Sequence, residues 1–187
     1  MTISKRRNRP TEAEIKPNPV QAVPDFENLF QDNWERVCAV VFRLVGDWGE
    51  AEDIALETFL RLYLNPPRHD QNLGGWLYRV ASRLGLNAIR ARKRRREHEE
   101  RAGKQILEQE NAWNPADSLE TRQARENVRK ALAQMKPRSA QILALRYSGL
   151  SYAEIAEALG LSLGSVGTFL ARAEKEFEQQ YRRLEGG

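Results

Sequence analysis

From Phe26 onward the apolar residues of this chain recur at three- and four-residue steps, and nowhere do they alternate with polar residues over the length of a strand. Phe26, Leu29, Phe30, Trp34, Val37, Val41, Leu44 and Val45 trace one side of a helix. Side chains at that period stack on one helical face, so the chain is predicted to be all-α. Local punctuation then sets the helix lengths. Gly46 suits a left-handed C-cap. Asp47, with Glu50 three residues on, is a variant of the capping box. A second helix turns Ala51, Ile54, Ala55, Thr58, Phe59 and Leu62 inward and ends at Asn65-Pro66-Pro67, because the residue before a proline is pushed out of the helical region. After a polar loop over 65–74, a third helix starts near Gly75. It turns Leu77, Val80, Ala81, Leu84 and Ala88 inward and runs into Arg90-Ala91-Arg92-Lys93-Arg94-Arg95-Arg96, where six of seven residues are basic.

The pattern fades between 97 and 116, and Asn114-Pro115 is a break signal. Asp117-Ser118-Leu119-Glu120 is a capped start for a helix reaching about Gln134, which Pro137 divides from another at about 138–148. Gly149 closes that one, and two helices follow at about 152–159 and 163–180. The predicted architecture is two small helical domains joined by a flexible linker. Residues 1–25 form a flexible arm rich in proline and basic residues, 26–96 a first domain, 97–116 the linker, 117–182 a second domain and 183–187 a tail.

Composition narrows the function. The chain has 187 residues, with 30 Lys and Arg against 26 Asp and Glu, a net charge of +4. Any basic surface must therefore come from clustering. The single cysteine, Cys38, excludes a disulfide framework; it lies on or near an apolar face and is expected to be packed. Two histidines and that cysteine write no zinc pattern, and no apolar run approaches the roughly 18–20 residues needed to span a bilayer. No glycine-rich phosphate loop or nucleophile–base pair stands out. The expectation is a cytoplasmic, non-enzymatic protein without membrane insertion, cofactor, metal or small-molecule substrate.

Four groups of residues carry potential chemistry. Between Ser151 and Arg172, two serines suited to helix capping, Gly160 in the turn, and Ala156 and Val166 at the crossing have helix-turn-helix spacing; a plain αα corner shares that spacing. The second helix of the hairpin would present Ser162, Ser165, Thr168 and Arg172 to a DNA groove. The basic run Arg90–Arg96 suits phosphate neutralisation; it equally suits a solvated helix with Lys93–Glu97, Arg95–Glu99 and Arg96–Glu100 pairs. Trp76 and Tyr78, with Tyr63 and Trp48 further off, suit unstacked bases or simple boundary packing. Asp47, Glu50, Glu52, Asp53 and Glu57 cluster at a helix start, where acid favours the dipole, and suit docking of a basic protein surface.

In this order the strings resemble bacterial RNA polymerase sigma factors of the extracytoplasmic-function (ECF) type, over about residues 26–180. Gly46-Asp47 and Ala51-Glu52-Asp53-Ile54-Ala55-Leu56-Glu57-Thr58-Phe59 resemble the region 2 segment that grips the polymerase clamp. Trp76-Leu77-Tyr78-Arg79-Val80-Ala81 resembles the start of the helix that opens and reads the −10 element. Leu145-Arg146-Tyr147 and Gly149-Leu150-Ser151-Tyr152-Ala153-Glu154-Ile155-Ala156 resemble the −35-reading hairpin of region 4. Family members usually have Gln at the position of Leu56, Asn and Asp at those of Arg83 and Asn87, and often Lys-Ser-Arg where this chain has Gly167-Thr168-Phe169.

The resemblance implies a sigma factor that binds core RNA polymerase through clamp and flap surfaces, with Glu52, Asp53 and Glu57 on the clamp. It implies that Trp76, Arg79, Arg83 and Asn87 lie near the melted −10 bases, with Arg90, Arg92, Lys93 and Arg94 on the backbone. It implies −35 contacts by Ser162, Ser165, Thr168 and Arg172, and an anti-sigma factor as a further partner. Two weak readers joined through one polymerase gain effective concentration. The competing readings are a stand-alone DNA-binding regulator and a helical module that binds only proteins.

Overall fold

The computed structural model describes residues 23, 25–67, 72–102 and 118–185. These form seven helices: α1 (Phe26–Val45), α2 (Trp48–Leu64), α3 (Leu73–Arg101), α4 (Leu119–Gln134), α5 (Pro137–Tyr147), α6 (Tyr152–Leu159) and α7 (Leu163–Glu185), with no strand among the described residues. Nearly all of the expected arm, most of the expected linker and residues 186–187 lie outside the described residues. The helix ends follow the punctuation. Gly46, Gly149 and Gly160 all take positive φ. Asp47 accepts from the Glu50 amide at 2.7 Å, Ser118 from Thr121 at 3.2 Å, and Ser151 forms a complete capping box with Glu154.

Three boundaries move. α3 begins at Leu73, because the Asn72 side chain accepts from the Gly75 amide at 2.9 Å and caps the helix two residues before the expected start. Its far end runs to Arg101, five residues into the expected linker, and α7 continues to Glu185, through most of the expected tail. Leu119, the first residue of α4, is 80% exposed.

The core centres on α3, which packs against α1, α2, α4, α5 and α6. Leu77, Tyr78, Val80, Ala81, Leu86 and Ile89 are all buried, on an arc wider than a one-faced helix needs. Leu86 and Ile89 fall outside the inward face read from the sequence, because helices from both halves of the chain close on α3. Small residues permit the close approach: a methyl group on Gly75 would meet the Ala158 backbone nitrogen at 3.3 Å, and one on Gly85 would meet Leu44 at 2.9 Å. Aliphatic burial here stabilises by roughly 25 cal/mol per Å², so truncating fully buried Leu77 to Ala should cost about 2–5 kcal/mol.

Cys38 is fully buried, and burial, with Glu52 adding to it, raises its pKa to about 11. The reactive thiolate is therefore both scarce and shielded. A maleimide should label native Cys38 at least a hundredfold more slowly than the urea-unfolded chain, as mass spectrometry would read; equal rates would contradict the packed position.

Candidate nucleic-acid interface

Burial of α3 on most of its circumference leaves a stripe open to solvent. Trp76, Arg83, Asn87 and Arg94 recur on it at steps of seven, four and seven, so it extends about 27 Å at 1.5 Å per residue. Arg83, Asn87 and Arg94 are exposed, and Trp76 is half-buried against the core. This stripe gathers four of the eight residues expected at the −10 DNA.

Of the other four, Arg90, Arg92 and Lys93 take protein partners, and Arg79 is half-buried on the same side of the helix. Arg92 turns back into the first three helices, donating to the Val45 carbonyl at 3.2 Å and pairing with Glu50. Arg90 donates to the carbonyls of Met135 at 3.0 Å and Ala133 at 3.4 Å, at the C-terminal end of α4. Burial and the neighbouring Arg94 lower its pKa from the ordinary guanidinium value. Both arginines thus sit at helix C-termini, where a cation meets unpaired carbonyls and the negative end of the dipole. Arg79 is half-buried, and its carbonyl accepts from the Gln141 amide at 3.1 Å. Lys93 pairs with Glu97 at 3.5 Å, as the spacing suggested. Arg96 reaches across to Glu126 of α4 at 3.0 Å, and Glu126 also holds Arg129 at 3.1 Å. Of the aromatic candidates, Tyr78 is buried under Arg36 and hydrogen-bonded to Asn33. Tyr63 joins the Phe26 ring, and Trp48 the Phe42 ring, away from α3.

The hairpin has the crossing its spacing predicts: α6 and α7 meet at 90°. Ala156 and Val166 are buried beneath the crossing, and Gly160 makes the turn at φ 60°. On α7, Thr168 and Arg172 are exposed and Ser165 is half-exposed. Ser162 lies at the helix start, its hydroxyl 2.5 Å from that of Ser165. These four form one polar face at the outside of the hairpin.

The acidic helix presents a different surface from the one expected. Glu50 is taken by Arg92, Glu52 accepts from the Trp48 indole at 2.9 Å, and Glu57 pairs with Arg61 at 2.5 Å. Asp53 and Glu57 remain exposed beside Leu56, Leu60 and Tyr63, which are 52%, 47% and 41% exposed. The sequence reading missed this apolar stripe, although steps of four and three carry it.

Residues 29–95 match the Sigma-70 region 2 family model and residues 125–177 the Sigma-70, region 4 model. A Bacillus subtilis protein, RNA polymerase sigma factor YlaC, is 30% identical over 82% of this chain and 90% of its own length. Another from the same organism, ECF RNA polymerase sigma factor SigW, is 28% identical over 91% of this chain and 95% of its own length. The chain belongs to the ECF sigma factors. It accordingly directs RNA polymerase in promoter-specific transcription initiation, and α1–α3 and α4–α7 are its regions 2 and 4. In solved structures, the sigma factor RpoE of Bartonella quintana, in complex with the anti-sigma factor NepR, shares the fold with a TM-score of 0.50 at 21% identity, over 86% of this chain and 98% of that one.

In this sigma factor the two regions touch through polar contacts as well as through the core. Arg36 of α1 pairs with Glu154 of α6 at 2.9 Å. Hydrogen bonds from the Ser151 backbone, the Arg36 guanidinium and the Ser151 hydroxyl hold the Glu154 carboxyl below its ordinary range. A carboxylate whose folded-state pKa is lowered stabilises fully above its unfolded value, and that contribution disappears as pH falls through the folded value. Replacing Glu154 by Ala should therefore cost about 1 kcal/mol at pH 7 and nothing once the pH is well below the carboxylate range. Urea unfolding from pH 7 to pH 3 measures this; a pH-independent difference would rule out the carboxylate as its source.

Proposed function

We propose that region 2 holds and helps to melt the −10 element while region 4 reads the −35 element, both carried to the promoter on core polymerase. The observation that carries this reading is the presence of two outward-facing surfaces in a chain that spends much of its charge internally. One is the Trp76–Arg83–Asn87–Arg94 stripe on α3, the other the Ser165–Thr168–Arg172 face on α7. A stripe about 27 Å long, with an aromatic at one end and cations along it, suits a strand with unstacked bases. Exposing such a base costs a few kcal/mol, which stacking on Trp76 and contacts from Arg83 and Asn87 would offset. Arg94 would lie on the phosphates. Arg79, Arg90, Arg92 and Lys93 are secondary in this reading: Arg90 becomes available only when region 4 leaves α3, and Arg92 serves the fold of region 2.

The outer face of α2 would dock on the polymerase clamp. Leu56, Leu60 and Tyr63 supply an apolar centre, and Asp53 and Glu57 a charged edge, the arrangement of a protein interface. Glu52 would orient Trp48 at its margin. Region 4 would engage the polymerase flap. The protein acts by binding, with no catalytic group of its own, in the cytoplasm where polymerase and chromosome meet. An anti-sigma factor would hold it by covering both regions; the likeness in fold to a sigma factor solved with its inhibitor supports that partner.

Run-off transcription on a fragmented genomic library, with core polymerase and this protein, should give discrete new start sites absent with core alone. No new starts, with a core shown active by another sigma factor, would overturn the reading. The pair of changes Asp53→Ala and Glu57→Ala should weaken co-elution with core polymerase at least tenfold; unchanged co-elution would place the grip elsewhere. Arg94→Ala should lower the salt slope of open-complex formation by about one, whereas Arg92→Ala should act through lost thermal stability with a slope near that of the parent.

A further inference from the structure

On the recognition helix, Phe169 is explained by neither the core nor the polar face. Phe169 is 37% exposed, although the packing face of α7 is already made by Val166, Leu170 and Ala173. It stands between Thr168 and Leu170 and one turn before Arg172, at the edge of the groove-facing surface. Its ring is held from outside the helix: the Arg138 guanidinium of α5 lies 5.8 Å from the ring centroid, within cation–π range. Arg138 is fixed in turn, donating to the Leu159 carbonyl at 3.1 Å at the end of α6. The ring and the cation are therefore set against both helices of the hairpin.

The surroundings are cationic. Lys136, Arg138, Arg172 and Lys175 line an open groove between α5 and α7 that Phe169 also borders. Glu176, in the same groove, already accepts from the Lys136 backbone amide at 2.7 Å. A guanidinium has five donors, and the structure gives Arg138 one hydrogen bond, so donors remain for a phosphate beside the ring.

We propose that Phe169 is a specificity residue of region 4 that reads a thymine methyl group in the major groove, with Arg138, stacked on it, binding the adjacent phosphate. The proposal rests on the reading of α7 as the −35 helix and adds what it recognises. The chemistry is direct: the thymine C5-methyl is the one apolar group on the major-groove edge, and an aromatic side chain recognises it by contact. Ser165 has no methyl group and Thr168 offers only one, so Phe169 supplies the larger apolar contact. Arg138 brings to this place a positive charge that α7 lacks at 169.

The test uses holoenzyme on a promoter identified by its start site. Each thymine of the upstream element, on both strands, is replaced singly by deoxyuridine, which removes the methyl group and leaves base pairing intact. At one position the parent protein should bind the deoxyuridine promoter about fourfold more weakly, the value of one buried methyl-sized group. Phe169→Ala should bind the two promoters alike, and Phe169→Leu should keep part of the difference. Arg138→Ala should lower the salt slope by about one without abolishing the thymine preference. Circular dichroism and core binding establish that each variant is folded. Indifference of the parent to deoxyuridine at every position, a preference that survives in Phe169→Ala, or an upstream element without A·T pairs would overturn the proposal. Absence of any directed start site would instead overturn the reading of the chain's promoter function.

Discussion

α3 is packed by helices from both halves of the chain, and that one constraint organises the molecule. A helix with a single buried face would spread its polar residues over half its surface. Closing α1, α2, α4, α5 and α6 around α3 narrows what is left open over most of its length, and the helix widens to solvent only towards Arg95, His98 and Glu99. Arg83, Asn87 and Arg94 fall in register on the open side, with Trp76 half-buried at its near end. The fit depends on Gly75 and Gly85, where a methyl group would press on Ala158 and Leu44. Larger residues there would separate the helices and loosen that packing.

The same packing divides the basic run. Cations at helix C-termini satisfy carbonyls that have no partner within the helix, and Arg90 and Arg92 each lie at one such end. Arg129 lies against Gly46, where any Cβ would collide with its guanidinium, so the C-cap glycine of α1 also makes room for a side chain from α4. Glu126 joins Arg96 and Arg129 in one network between the halves. Six basic residues in seven are thus shared between building the fold and presenting charge. The electrostatic attraction for DNA is correspondingly smaller than the run suggests.

Much of this was legible in the residues. The caps at Asp47, Ser118 and Ser151 and the stops at Gly46, Gly149 and Gly160 are local chemistry, and each stands where a short stretch of sequence puts it. The hairpin was legible for the same reason, since its spacing is fixed by two capped helices and a glycine turn. The exposed acids Asp53 and Glu57 were readable, whereas the exposed Leu56, Leu60 and Tyr63 were passed over beside them. Tyr78 could not be told from a base-stacking aromatic, because its burial depends on α1 supplying Arg36 and Asn33. Phe169 and Arg138 lie 31 residues apart in the chain, and no local pattern links them.

By itself the sequence determined an all-helical chain, the places where its helices start and stop, the hairpin and the family. Those follow from interactions within one or two turns, where neighbours in the chain are neighbours in space. Only the tertiary structure decided which cations face solvent, which aromatics are core, and which four residues of α3 form a line. Those depend on what packs against each face. A helical period shows that a side chain has a direction, and only the helices that fill that direction decide whether it meets protein or DNA.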